Sequence, residues 1–232
     1  MKIFAIGDLH LALDPRLEKP MDIFGSNWTD HWARISGDWK QKVSEADTVL
    51  IAGDISWAMS EKDAKPDLDL ICAMPGTKVM IKGNHDYWHG SLSKTRAMLY
   101  HNTFFIQNDC YEAGDFVVAG TRGWIGKDEK GFSKDDLKIF NRELSRLKLS
   151  LDSAQKSGKQ IIGMMHYPPY SANKKSSEFT DMFRDYGVKT VVYGHIHGEA
   201  FLHMDYSDAV IDGVKYILTS CDYLDFQLRK II

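Results

Sequence analysis

Five short apolar runs, spread over most of this chain, each end in a residue able to donate to a metal ion. Ile3-Phe4-Ala5-Ile6 leads into Asp8 and His10, and Val49-Leu50-Ile51-Ala52 into Asp54. Val79-Met80-Ile81 leads into Asn84, Ile161-Ile162-Gly163-Met164-Met165 into His166, and Val191-Val192-Tyr193 into His195 and His197. Runs of this length and β-branched content read as buried strands. In open α/β sheets, ligands bind beyond the carboxyl ends of the strands. One pattern therefore predicts an architecture and a chemistry together: five strand ends bringing oxygen and imidazole donors into one cleft.

Helical segments separate the runs. Trp28, Trp32, Ile35, Trp39 and Val43 recur every three or four residues, which predicts a helix over 28–43. Ser60 opens a capping-box-like segment to about Ala73, with Pro66 placed to break the helix or delay its start. Ser91 caps a helix through Tyr100, and residues 103–107 and 115–119 read as strands. Leu137, Phe140, Leu144, Leu147, Leu151 and Ala154 mark the clearest helix, over 133–157, between Ser133 and Gly158. Residues 177–187 form a further helix. Strands follow at 199–203, 208–211 and 214–219, with turns at Tyr206-Ser207-Asp208 and Asp212-Gly213. The alternation predicts helices packed on mostly β layers, with the later strands pairing antiparallel. The 232 residues suggest a single domain, and no repeat or linker interrupts them.

The donor set is mixed: imidazoles, carboxylates and one amide oxygen. It suits Mn, Fe, Co, Ni or Zn rather than the all-oxygen sites of Mg and Ca. Seven donors exceed what one ion needs when it also binds water and substrate, and two ions sharing a carboxylate account for the number better. Asp8-x-His10 and His195-x-His197 each place two donors on one side if the segment is extended. Gly53, Gly83, Gly194 and Gly198 stand beside them and permit tight backbone paths. Taken singly, Asp8 or Asp54 would be a turn or cap residue and His166 a hydrogen-bonded strand-end histidine. That every such run ends in a ligand type is what those separate explanations miss. His31, His89, His101 and His203 lack this context and read as ordinary surface or core residues.

The ordered fragments Asp8-Leu9-His10, Gly53-Asp54, Gly83-Asn84-His85-Asp86, His166 and Gly194-His195-Ile196-His197 resemble the full motif series of the calcineurin-like metallophosphoesterases. The resemblance implies a four-layer α/β/β/α sandwich of two packed mixed sheets, with a dinuclear metal site at the strand ends. It implies one metal held by Asp8, His10, Asp54 and His197, another by Asp54, Asn84, His166 and His195, and Asp54 bridging them. His85 would reach the scissile phosphate and protonate the leaving oxygen, with Asp86 orienting it. The activity implied is hydrolysis of a small phosphodiester, or less favoured a phosphomonoester, by a hydroxide held between two Mn, Fe or Zn ions, manganese favoured. Ile55-Ser56-Trp57 after Asp54 departs from the second Asp and Arg-Gly of protein Ser/Thr phosphatases, which also carry Glu at the position of Asp86. His85 departs from the Arg typical of lipid A precursor hydrolases.

Substrate contacts are nominated by position: Trp57, Trp88 and Tyr170 as aromatics beside the motifs, and Arg122 between glycines after an apolar strand. A net charge of −3 argues against a polymeric nucleic-acid substrate, though a nuclease of the same superfamily is one alternative and a non-catalytic metal-binding scaffold another. Cys72, Cys110 and Cys221 are odd in number and far apart, so reduced thiols are expected. No signal-peptide core or membrane-length apolar run is present, which predicts a soluble cytoplasmic protein without a membrane partner. The oligomeric state is left open.

Overall fold

The strands of this chain are apolar on both faces because both faces are covered, and that is why they read as continuous rather than alternating runs. The computed structural model describes residues 1–13, 21, 25–171, 174–198, 205–206 and 208–232. β1 (Ile3–Ile6), β2 (Thr48–Ile51), β3 (Thr77–Met80) and β4 (Thr103–Phe105) run parallel in one sheet. β5 (Cys110–Ala113) and β6 (Phe116–Thr121) form a hairpin at one edge of a second sheet. There β6 runs parallel to β7 (Gln160–Met165), and β7 to β8 (Thr190–Tyr193). β9 (Ala209–Ile211) and β10 (Val214–Leu218) close the second sheet, and β11 (Arg229–Lys230) returns to pair antiparallel with β1.

Residue alternation assigns the layers. Ile3, Ala5, Leu50, Ala52 and Val79 of the first sheet pack against Val118, Ile162, Met164, Val192 and Ile217 of the second. The intervening residues Phe4, Ile6, Val49 and Ile51 face outward onto α1 (His31–Lys42) and α2 (Glu61–Cys72), meeting Ile35, Trp39, Leu68 and Ile71. On the far side, Val117, Ala119 and Val191 meet Phe140, Leu147 and Leu151 of α4 (Lys134–Gln155) and Phe179 and Phe183 of α5 (Glu178–Asp185). A further short helix, α3 (Leu92–Ala97), leads into β4. The result is the α/β/β/α sandwich of two packed mixed sheets.

Several boundaries differ from the sequence-based expectation. Trp28 sits in a separate 3-10 turn, Ser26–Trp28, because Asp30 takes a left-handed backbone at φ 52 before α1 starts. Pro66 does not break α2: it falls in the second turn, and Ser60 caps the start by accepting from the Asp63 amide. α3 stops at Ala97, short of Tyr100. β5 and β11 are additions to the expected strands. β10 pairs antiparallel with β9 but parallel with β8, so the later strands are not all antiparallel. The expected strand at 199–203, His203 and Ser207 lie outside the described residues.

The long helix α4 has the expected capping box, with Ser133 and Asp136 bonded reciprocally. All three cysteines are free, Cys72 and Cys221 buried. Among the described residues, no helix is long and apolar enough to cross a membrane.

Candidate metal centre and active site

The loops after β1 and β2 stay paired beyond the strands. The amides of Asp8, His10 and Leu11 donate to the carbonyls of Gly53, Asp54 and Ile55, each at 3.0 Å. Asp8, His10 and Asp54 adopt left-handed backbones, with φ of 56°, 45° and 50°, and His195 does so at 73°. Asp8 and His10 are thus brought together by a strained turn, not by the alternation of an extended segment. Such conformations cost about 1–3 kcal/mol each and persist where the surroundings over-determine them, commonly at functional sites. Two glycines admit this geometry through close approach rather than unusual dihedrals. A Cβ on Gly83 would lie 2.1 Å from Asp54 Oδ1, and one on Gly194 would lie 2.5 Å from Asp8 Oδ2.

Side chains from both sheets meet here. Asp8, Asp54 and His166, all buried, each present a ligand atom within 4.8 Å of the others. His166 Nδ1 lies 2.9 Å from the Ala52 carbonyl, to which it donates; its Nε2 therefore carries the lone pair. That Nε2 faces two more acceptors, Asn84 Oδ1 at 2.7 Å and Asp54 Oδ2 at 3.4 Å. His195 Nδ1 lies 2.9 Å from the same Asn84 oxygen. Acceptors gathered around a common point call for a cation between them, and a ring N–H held by a backbone carbonyl is the usual outer support of a ligating histidine.

A second group of atoms makes the same point. Among the described residues, both ring nitrogens of fully buried His10, and Asp54 Oδ2, have no hydrogen-bond partner. His10 Nε2 lies 3.7 Å from Asp54 Oδ2, and the His197 ring sits edge-on to His10 at 5.1 Å. Buried polar atoms left without partners are costly unless a ligand or ion completes them.

Electrostatics agree. Burial, then repulsion from Asp54, holds the Asp8 carboxyl well above the usual range, and burial lifts Asp54 to about 6. Burial lowers His166 to about 3 and also pushes down His10, His195 and His197. Neutral imidazoles around two crowded carboxylates form a site that gains from added positive charge. The donor set fits divalent transition metals.

His85 stands beside these residues. Its amide donates to Asp54 Oδ1 at 2.8 Å, and its half-buried ring packs 4.4 Å from Trp57 and 6.2 Å from the exposed Tyr87. Trp57 also stacks on His10 at 4.8 Å, so one indole supports both histidines. Among the described residues no hydrogen bond joins Asp86 to the His85 ring. Its buried carboxylate accepts from the amides of Ile55, Ser56 and Gly83 and from the Trp88 indole, at 2.7–3.2 Å. Four donors occupy it, and its work is to fasten the Asp54 loop to the Asn84 loop.

The other nominated substrate residues divide. Trp88 is buried in the outer core of the first sheet. Tyr170 is likewise buried, with its hydroxyl against that of Tyr193. Arg122 stays near the site: its carbonyl accepts from the amides of His166 and Tyr167, and its charge acts on Asp54 and His166.

The sequence reading missed the segment after β10. Cys221 Sγ donates to the Asp8 carbonyl at 3.0 Å, and Gly7 exchanges backbone hydrogen bonds with Thr219 and Cys221. Asp222 accepts from the Gly198 amide at 2.7 Å, pinning the loop that carries His195 and His197. The signal was present: the apolar run 214–218 also ends in an acid four residues later.

Two solved structures resemble this fold along nearly its whole length. TT1561 of Thermus thermophilus aligns with a TM-score of 0.62 at 10% identity, covering 99% of this chain and 97% of that one. AQ665 from Aquifex aeolicus, described as a protein of unknown function, aligns with a TM-score of 0.51 at 13% identity, covering 99% and 95%. No curated protein matches. A sequence model described as calcineurin-like phosphoesterase matches residues 1–199, which span every donor named above. The chain belongs to the calcineurin-like phosphoesterase family.

Proposed function

We propose that this protein hydrolyses a small phosphoester, a diester ahead of a monoester, at a centre holding two transition-metal ions, manganese first among them. Asp8, His10, Asp54 and His197 would hold one ion. Asp54, Asn84, His166 and His195 would hold the other. The observation that carries the reading is a set of polar atoms gathered at one place: His10 Nδ1 and Nε2 and Asp54 Oδ2, buried and without a hydrogen-bond partner among the described residues, beside the Asn84 oxygen that faces two imidazoles.

When bound, such ions supply Lewis acidity and lower the pKa of a coordinated water toward neutrality. The chain's own groups do the rest. His85, held at its backbone by Asp54 and at its ring by Trp57, hydrogen-bonds a phosphoryl oxygen and delivers a proton to the departing one. Arg122 adds a fixed positive charge on the His166 side. Asp86 and Asp222 set the two loops from which His85 and His195 project. The nuclease and scaffold alternatives have no specific observation in their favour.

Metal analysis tests the reading. Protein reconstituted with Mn²⁺ and desalted is expected to retain about two ions per chain, the number that shared coordination by Asp54 requires. Asp54→Ala should lose both. Retention of a full complement by that variant contradicts the assignment.

A further inference from the structure

Beside the metal centre, at the ends of β3 and β6, lies a cluster of cations of which the hydrolytic reading uses Arg122 alone. Glu143, buried on α4, lies 3.3 Å from Arg122 Nη2, 2.8 Å from Arg146 Nη1 and 4.0 Å from Arg142 Nε. Its other oxygen accepts the Thr121 hydroxyl at 2.7 Å. One carboxylate therefore faces three guanidinium groups. Lys82, half-buried and two residues before Asn84, acts electrostatically on Arg122 and Arg146, and among the described residues it forms no ion pair.

The other carboxylates of this region are committed elsewhere. Asp86 is taken by its four donors, and Asp136 by the Ser133 cap and the Trp124 indole. Positive charge is in surplus. Arg122 is also held ready: its guanidinium lies 4.6 Å over the Trp124 ring, and its buried Nε has no hydrogen-bond partner among the described residues. Tyr167 packs between Trp124 and His195, at 5.3 and 4.1 Å, and its hydroxyl makes no hydrogen bond among the described residues. A phenol O–H is a hydrogen-bond donor, and this one is free to turn toward an anion.

Two divalent ions against the Asp8 and Asp54 carboxylates already leave net positive charge for the scissile phosphoryl group. More negative charge is needed to balance Lys82, Arg122 and Arg146. Guanidinium forks match phosphate oxygens in pairs, which an ammonium alone does not. We propose that Lys82, Arg122, Arg146 and Tyr167 form a second anion subsite, so that the substrate carries a further phosphate next to the one being cleaved. This deepens the phosphoesterase reading and rests on it for the word substrate; the subsite itself is a binding claim.

Binding tests it without turnover. Mn²⁺-loaded protein is titrated calorimetrically with adenosine 3′,5′-bisphosphate and, separately, with adenosine 5′-phosphate. The bisphosphate is expected to bind about tenfold tighter or more, the scale of one added charge-assisted contact. The advantage should shrink in 0.5 M KCl, a salt range where exposed charges are screened within about 5 Å. Lys82→Gln and Arg146→Gln should each bring the ratio down toward one; two separate variants guard against one failing to fold. Equal affinity for the two nucleotides in the native protein overturns the subsite. So does a preference unchanged in both folded variants. A protein that prefers the bisphosphate yet cleaves no phosphoester keeps the subsite and loses the hydrolase reading. One that cleaves bis-p-nitrophenyl phosphate with no preference does the reverse.

Discussion

The backbone amide of His85 donates to Asp54 Oδ1 at 2.8 Å, so the proposed acid is anchored through its main chain to the carboxylate assigned as the metal bridge. Position and metal binding are therefore coupled at one residue. Asp54→Asn keeps an oxygen for that hydrogen bond and removes the charge. Asp54→Ala removes both. Both variants should lose metal and at least about 10³-fold in activity, the scale of removing an electrostatic centre. Asp54→Ala should in addition free the loop around His85, read as faster amide exchange at residues 84–87 than in Asp54→Asn. Equal exchange in the two variants would mean that the hydrogen bond does not hold the loop.

Trp57, not Asp86, is the side chain that packs on the His85 ring, and it stacks on His10 as well. Trp57→Leu should lower kcat by about tenfold or more through loss of ring orientation, since small misplacements of catalytic groups cost up to about 10². Trp57→Phe should recover most of that loss. If Trp57→Leu raises only KM, the indole contacts substrate instead of positioning the histidine.

Metal uptake should follow the carboxylates rather than the histidines. Burial lifts Asp54 to about 6 and holds Asp8 well above its ordinary range, while His166 falls to about 3. With raised values, the carboxylates of the metal-free protein hold protons as pH falls through 6, and an incoming ion must displace them. His166 is already neutral there and releases none. Apparent Mn²⁺ affinity should thus drop by about tenfold or more between pH 7 and 5, each displaced proton adding one decade per unit below its pKa. Proton release measured in two buffers of different ionisation enthalpy checks the sign. An affinity flat over that interval contradicts the electrostatic account.

Lys78 is fully buried on β3, and its ammonium donates to the carbonyls of Cys72, Met74 and Gly76 at 2.5–3.1 Å. It satisfies acceptors left over at the end of α2, which a strand lysine facing solvent would not do. Lys78→Met would leave the Met74 and Gly76 carbonyls without this donor, while Cys72 keeps the Asn102 amide, and should destabilise the fold by about 2–6 kcal/mol, given about 1–3 kcal/mol for each of two unsatisfied groups. Urea denaturation measures it. Specific activity of the folded fraction should stay within about twofold, because no contact links Lys78 to the metal centre.

Much of this architecture was legible because parallel strands covered on both faces leave uninterrupted apolar runs, and because their loops carry the candidate ligands. β1, β2, β3, β7 and β8 were readable for that reason. β5 was not: Cys110, Tyr111 and Glu112 sit at a partly exposed sheet edge and show no apolar run. β11 has only two residues, and its place is fixed by pairing with β1, a contact across almost the whole chain. The ligand types were visible one by one, whereas the role of Asp86 was not, since it depends on amides from a loop about thirty residues away. The burial of Trp88 and Tyr170 was not legible for a related reason. Lying beside a motif in sequence says nothing about which face of the loop turns into the core. Cys221 and Asp222 went unseen because strand β10 was judged by its apolar run and not by what followed it.

The most direct measurement is hydrolysis of bis-p-nitrophenyl phosphate and p-nitrophenyl phosphate by Mn²⁺-loaded protein, run beside His85→Ala with metal content determined in both. The account predicts cleavage of the diester ahead of the monoester. It also predicts a loss of about 10²–10⁴ in kcat for His85→Ala at unchanged metal content, the usual contribution of a positioned acid. Two ions bound with neither ester cleaved, or a His85→Ala protein as active as the native one, would contradict it.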